Sequence, residues 1–183
     1  MQESTPFTGP KVDAALDAQT AARALLAVLD HPDVATDADE RLFEALLLYG
    51  LRCIPKLGDH LFSCGSDVDF RFGARGQADI VGWRGETVLV ECEVKIRAQF
   101  NGQKDGVNQL DRYAANVPSD ASLFLLTPET YYPTLALYEV HTWERWTPIW
   151  LTSLRTAVLA TAGQSPAGDG SAERLARALA RLF

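Results

Sequence analysis

Apolar positions along the first third of the chain recur with the period of an amphipathic helix. From Val12 to Leu29 they follow one another at intervals of three and four residues. Pro32 ends this helix because proline cannot continue one. Asp37 then resembles an N-cap with Glu40 three residues later, and helical spacing continues to about Cys53. The segment therefore predicts two helices.

The middle of the chain changes to an alternating pattern, which is typical of strands. Alternation and short apolar runs predict strands over 67–72, 77–83, 87–96 and 121–126, with a turn at 84–86. Helical spacing returns over 101–115 and 154–162, and after Ser171 in an amphipathic C-terminal helix. Two further strands are candidates at 135–140 and 148–151.

This order of elements predicts the fold class and the division of the chain. Helices, strands, a helix and a further strand indicate an α/β fold, in which a mixed β-sheet core is flanked by helices. We divide the chain into an acidic N-terminal helical segment (1–35), a core (36–160), and a loop with the C-terminal amphipathic helix (161–183). The N-terminal helix is then an addition to the core.

Composition places the chain among ordinary globular domains. It has 183 residues, of which 47% are hydrophobic and 22% are charged. It contains no run of about 18 apolar residues, so we expect no membrane span. The N-terminus has no basic and apolar signal pattern, so we expect no secretory signal. Three cysteines without Cys-x-x-Cys spacing favour neither disulfides nor a zinc site, and indicate a cytoplasmic location.

The strand over 87–96 carries the candidate chemistry. Its even positions, Val88 to Ile96, are apolar, whereas Glu91, Glu93 and Lys95 share the other face. Asp79 lies across the predicted hairpin and can approach Glu93. Two carboxylates are suitable ligands for Mg²⁺ or Mn²⁺, and a lysine beside them can orient or deprotonate a water. The alternative is an ordinary solvated strand face with a Glu–Lys pair.

The net charge of the whole chain, taken alone, argues against a nucleic-acid partner. The formal charge is −7, whereas general nucleic-acid binders are usually basic. Residues 1–45, however, hold nine acids and three bases, and residues 46–115 hold nine of each. A divalent metal would offset Asp79, Glu91 and Glu93 within that neutral part. The charge therefore allows a phosphate substrate, with weak and salt-sensitive binding when metal is absent.

These residues resemble the PD-(D/E)XK nuclease superfamily, which has a restriction-endonuclease-like fold. The resemblance depends on Asp79, on Glu93-Val94-Lys95 in the predicted strand, and on Gln109-Leu110-Asp111-Arg112-Tyr113 in the following helix. It covers roughly residues 36–127. The proline of the family's name is absent, since Ala78 precedes Asp79, but that proline is not required for the chemistry.

The resemblance implies a Mg²⁺-dependent deoxyribonuclease, in which Mn²⁺ can replace Mg²⁺. Asp79 and Glu93 would bind the metal, and Lys95 would position or activate the attacking water. Gln109 and Tyr113, one helical turn apart, would reach the scissile region of the DNA. Among family members a glutamate on the preceding helix often supports the metal, and Glu44 is the candidate here because Glu40 is assigned to the cap.

Several alternatives stay open on the sequence alone. For Glu91 the alternatives are a further metal ligand, a replacement for Glu93 as the ligand, or a partner of Lys95 or Arg97. For Glu44 the alternative to a role at the metal is an ordinary solvated helix residue. For Gln109 and Tyr113 the alternative is an amphipathic helix whose polar side simply faces solvent. The chain could be a catalytically silent binding or assembly module, or a nuclease for RNA or branched junctions. Restriction, repair or defence are contexts that the family permits, and many of its members work as homodimers.

Overall fold

In the computed structural model, which describes residues 14–30, 40–97, 107–135 and 139–162, helices cover both faces of one sheet. The helices are α1 (Ala14–Asp30), α2 (Glu40–Cys53), α3 (Leu57–Phe62), α4 (Gln109–Asn116), α5 (Tyr132–Leu135) and α6 (Leu151–Ala162). The strands are β1 (Asp69–Phe72), β2 (Ile80–Arg84), β3 (Thr87–Val94), β4 (Ser122–Thr127) and β5 (Trp146–Trp150). A 3₁₀ turn, Trp143–Arg145, leads into β5.

The strands pair in chain order, β1-β2-β3-β4-β5, as one open mixed sheet. β1, β2 and β3 are antiparallel neighbours, whereas β3, β4 and β5 run parallel. β3 is therefore the central strand and is covered by helices on both faces. The prediction of an α/β fold with a mixed sheet flanked by helices is confirmed at this level.

Two apolar clusters hold the helices to the sheet. The larger one joins α1, α2, α3 and α6 to one face, and it includes Leu25, Leu47, Cys92 and Leu154. The smaller one joins α4 and α5 to the opposite face through residues such as Leu110. Each buried leucine of this kind stabilises the fold by about 1.5–3 kcal/mol relative to exposure. The described part of the acidic N-terminal segment thus packs into the main core.

A β-bulge changes which face of β3 the first side chains occupy. Trp83 pairs with Val88 while Gly82 pairs with Val90, so β3 contains one extra residue at this point. Val88 consequently joins Val81 in a small cluster, apart from the large cluster that holds Val90 and Cys92. The prediction that Val88 shares a face with the later even positions is wrong for this reason.

The strand predicted over 135–140 is also wrong at its described ends. Leu135 is the last residue of α5, and Val140 lies in a loop. The amides of Tyr131 and Tyr132 both donate to the Pro128 carbonyl, which starts a helical turn directly after β4. Leu135 is therefore a buried residue of a helix. Its apolar side chain is compatible with either a buried strand or a buried helix, so the sequence did not distinguish them.

Other predicted boundaries are partly testable. The helix predicted over 101–115 begins at Gln109 in the described part, because the Asn108 side chain accepts a hydrogen bond from the Leu110 amide as an N-cap. Residues 101–106, the predicted cap Asp37 and the C-terminal helix lie outside the described residues. No described helix has both the length and the apolar character that crossing a membrane requires.

Candidate catalytic site

The β2–β3 hairpin brings Asp79 next to Glu93, as the sequence predicted. Ile80 pairs with Cys92, which places Asp79, one residue before β2, opposite Glu93. The Asp79 carboxylate accepts a hydrogen bond from the Val94 amide over 2.8 Å. Two carboxylates therefore lie side by side at the end of the central strand.

Lys95 completes this group from the residue that follows β3. Its Nζ lies 2.8 Å from Oε1 of Glu93 and donates to the Val94 carbonyl over 3.0 Å. Glu93 is 0% exposed and Lys95 is 4% exposed. The alternative of a solvated strand face is thus wrong, because helices cover this part of the sheet on both sides.

Helix α4 contributes the two polar residues that the family resemblance singled out. Nε2 of Gln109 donates to Oε1 of Glu93 over 2.8 Å and to the Tyr113 hydroxyl over 2.8 Å. A side-chain amide has two N–H donors, and here both are used. Gln109 is therefore a bridge between the Glu93 carboxylate and Tyr113.

Buried polar contacts fix the position of α4 itself. Oδ1 of Asp111 accepts from the Thr142 amide over 2.9 Å and Oδ2 accepts from the His141 amide over 3.1 Å. Arg145 also donates to the Ala114 carbonyl at the other end of the helix. These contacts tie α4 to the loop before β5, so the orientation of Gln109 over Glu93 is set by both ends of the helix.

Helix α2 adds Glu40, which the sequence assigned to a cap. Oε1 of Glu40 accepts from the Ile96 amide over 2.7 Å, and Oε2 lies 3.6 Å from Nζ of Lys95. Glu40 and Glu44 are one turn apart and therefore face the same way. That spacing is the signal that could have placed Glu40 at the site together with Glu44, whereas the sequence assigned Glu40 to the cap alone.

Glu44 lies at the edge of the same group of charges. Its pKa is raised to about 7, mainly by burial and also by the carboxylates of Asp79 and Glu40, against the opposing effect of Lys95. The side chain is half-buried. The structure therefore brings Glu44 towards the site, although no described hydrogen bond links it to Asp79 or Glu93.

Burial and mutual repulsion control the protonation of the central residues. The pKa of Glu93 is raised to about 8, mainly by burial and also by Asp79, with Lys95 opposing the increase. Burial lowers the pKa of Lys95, but the carboxylates of Glu93, Glu40 and Asp79 outweigh it and raise that pKa overall. Lys95 is therefore an ammonium at neutral pH. Burial also raises the pKa of Tyr113.

Glu91 has different surroundings from Glu93, although both are fully buried. Oε2 of Glu91 accepts from the Ala78 amide over 3.2 Å, and Oε1 has no hydrogen-bond partner among the described residues. Burial raises its pKa to about 7. Lys95 pairs with Glu93 and Glu40, so the described contacts leave Glu91 outside the group.

A cleft gives access to the carboxylates from one side. It has a volume of about 530 Å³ and lies between α2 and the connection from β1 to β2. Arg41 and Glu44 line one wall, and Phe72, Gln77 and Asp79 line the other. The site is therefore buried around Glu93 and open beside Asp79.

Comparisons with protein-family models, curated proteins and solved structures gave no match to this chain. Within the described residues, no group of three or more acidic, histidine or cysteine side chains is arranged to hold a metal ion. The geometry of the site and the sequence motifs therefore carry the functional argument.

Proposed function

We propose that this protein is a metal-dependent nuclease that hydrolyses phosphodiester bonds in DNA. The convergence of Asp79, Glu93 and Lys95 at the end of the central strand carries the proposal. The motif order along β2, β3 and α4 and the mixed sheet are consistent with a restriction-endonuclease-like fold, which we include in the proposal. The Gln109 bridge adds a fourth polar group that the family resemblance led us to expect.

The donor atoms present fit a hard divalent cation. Oε2 of Glu93 is buried without a hydrogen-bond partner among the described residues, and the Asp79 carboxylate lies beside it. Mg²⁺ commonly binds through one or two carboxylates and keeps several waters, so a group of three protein ligands is not needed. Asp79 and Glu93 would hold Mg²⁺, or Mn²⁺ in its place. When bound, the cation supplies Lewis-acid polarisation of the scissile phosphate.

The chain's own residues have separate tasks in this mechanism. The Lys95 ammonium donates hydrogen bonds, so it orients the attacking water and offsets negative charge on the phosphate. Gln109 holds Oε1 of Glu93, and Oε2 keeps no hydrogen-bond partner among the described residues. Glu40 holds the Ile96 amide and balances the charge of Lys95, which fixes the chain where it leaves β3.

A cleavage assay tests this function. Purified protein is incubated with supercoiled plasmid and linear DNA in Mg²⁺, Mn²⁺ or EDTA. We expect cutting with either metal, none in EDTA, and a loss of about 10²–10⁴-fold in rate for Lys95→Ala. The matched control is Lys56→Ala, which removes an exposed lysine that takes no part in the described contacts of the site.

Two results would contradict the proposal. Cutting that persists in EDTA, or that continues at the wild-type rate in Lys95→Ala, would contradict the mechanism. No cutting of DNA, RNA or branched junctions, together with no binding of Mn²⁺ by calorimetry, would favour the binding or assembly module instead.

A further inference from the structure

An exposed aromatic side chain stands at the rim of the cleft beside Asp79. Phe72 ends the edge strand β1 and is 54% exposed, more than any other large hydrophobic side chain in the described residues. Single exposed apolar residues are common on protein surfaces. Phe72 differs because it lines the same cleft as a proposed catalytic carboxylate.

The backbone holds Phe72 at a fixed place relative to Asp79. The Gly73 amide donates to the Asp79 carbonyl over 2.9 Å. A Cβ at Gly73 would lie 1.8 Å from the Ala78 carbonyl oxygen, so only glycine allows the two chain segments to approach this closely. The backbone segments that carry the ring and the carboxylate are thus held next to each other.

The wall of the cleft that belongs to α2 carries a guanidinium and a half-buried acid. Arg41, on the first turn of α2, and Glu44, three residues later, both line the cleft that Phe72 lines. The volume of about 530 Å³ lies within the usual range for small-molecule pockets, about 300–1,000 Å³, and accommodates a nucleotide. An aromatic face and a guanidinium match the base and the backbone phosphate of a polynucleotide. Asp79 marks the end of the cleft where the proposed cation would meet the scissile phosphate.

We propose that the cleft binds one unpaired base of single-stranded DNA, stacked on Phe72, beside the phosphodiester that is cut. This inference rests on the proposed nuclease function and specifies its substrate as single-stranded or frayed DNA. A base inside a duplex keeps both faces against its neighbours and presents no face to a protein ring. Aromatic stacking is worth about 5- to 150-fold in affinity per base and tolerates any sequence.

A binding experiment tests the base site without cleavage. A single-stranded oligonucleotide with 2-aminopurine is titrated with the full chain in Ca²⁺, and a gel confirms that the DNA is intact afterwards. We expect quenching of its fluorescence by wild type and by Phe72→Tyr. Phe72→Ala should bind about 5- to 150-fold more weakly. The control Leu159→Ala removes another exposed apolar side chain, on α6, and should bind as wild type does.

A kinetic experiment links the same site to the reaction. Cleavage of a single strand and of its fully paired duplex is compared in Mg²⁺. We expect wild type to prefer the single strand, and Phe72→Ala to raise KM for it with a smaller change in kcat. Phe72→Tyr should restore KM, because the ring and not a hydroxyl provides the stacking.

The two experiments separate the inference from the function on which it rests. Cleavage with equal KM in wild type and Phe72→Ala would overturn the base site and leave the nuclease standing. Quenching that needs Phe72, without any cleavage, would keep the base site and remove the nuclease. Absence of both quenching and binding of single-stranded DNA would overturn the inference, and a peptide would then be the ligand class to examine.

Discussion

Glu91 and Glu93 lie two residues apart on the central strand, both 0% exposed, yet only one is part of a polar group. Glu93 contacts the Lys95 ammonium and the Gln109 amide and lies beside Asp79. Glu91 receives one backbone hydrogen bond, from Ala78. Burial of a carboxyl group therefore does not by itself make a site, since the convergence of other polar groups distinguishes the two.

Sheet register explains the difference. Glu91 aligns with Val81 on one side and Leu123 on the other, so its neighbours across the sheet are apolar. Glu93 lies beyond the last pair of β2 and β3, where Asp79 replaces an apolar residue and α4 begins. The contact from Glu91 to Ala78 holds the residue before Asp79, so the second acid supports the site from a distance.

The largest effect that we expect is a difference in DNA cleavage rate between variants of Glu93 and of Glu91. Glu93→Gln should reduce the rate of DNA cleavage by about 10²–10⁴-fold, because it removes a charge and a metal ligand. Glu91→Gln should stay within about tenfold of wild type, since an amide oxygen can still accept from the Ala78 N–H. The control Glu86→Gln changes an exposed acid in the β2–β3 turn. A loss in Glu91→Gln equal to that in Glu93→Gln would reverse the assignment.

A smaller effect concerns the bridge from α4. Gln109→Leu should lower the affinity for Mn²⁺ or the cleavage rate by about 10–100-fold, the usual effect of removing a residue that orients a ligand. Tyr113→Phe should have a weaker effect, because its hydroxyl contacts Gln109 and not Glu93 in the described network. Unchanged Mn²⁺ affinity and cleavage rate in Gln109→Leu would show that the contact of Gln109 with Glu93 does not orient a metal ligand.

The smallest effect is on the pH dependence of the unfolding free energy, which reports on the pKa of Glu91. Burial raises that pKa from 4.5 to about 7, so the contribution to stability is full below pH 4.5 and is lost as pH rises through 7. Relative to Glu91→Gln, wild type should lose roughly 1–3 kcal/mol of unfolding free energy between pH 5 and pH 8. Urea unfolding of both proteins at the two pH values measures this. Parallel pH profiles would mean that Glu91 has an ordinary pKa.

Local patterns were sufficient for the five strands of the sheet and for the approach of Asp79 to Glu93, although they also predicted a strand over 135–140 that is wrong at its described ends. Alternation is a property of neighbouring residues, and the turn at 84–86 brings the two strands of the hairpin side by side. The alignment of Asp79 with Glu93 also depends on the β-bulge between β2 and β3. The position of Gln109 over Glu93 did not follow from any pattern. It depends on packing of α4 against β3 and β4, and only the family resemblance pointed to it.

Long-range contacts explain what the sequence missed. Glu40 matched a capping box locally, whereas its side chain contacts Ile96 and Lys95, more than 50 residues away. Val88 changes face because of a bulge, which depends on the pairing of two strands. The full burial of Glu91 and Glu93 depends on which helices cover the sheet. None of these is visible in the periodicity of a single segment.

Titration with Mn²⁺ by calorimetry is the most direct measurement of the central claim, that Asp79 and Glu93 together hold a divalent cation and Glu91 does not. We expect saturable binding to wild type and to Glu91→Gln, and its loss or strong weakening in Asp79→Asn and Glu93→Gln. Absence of Mn²⁺ binding to wild type, or unchanged binding to Glu93→Gln, would contradict the account.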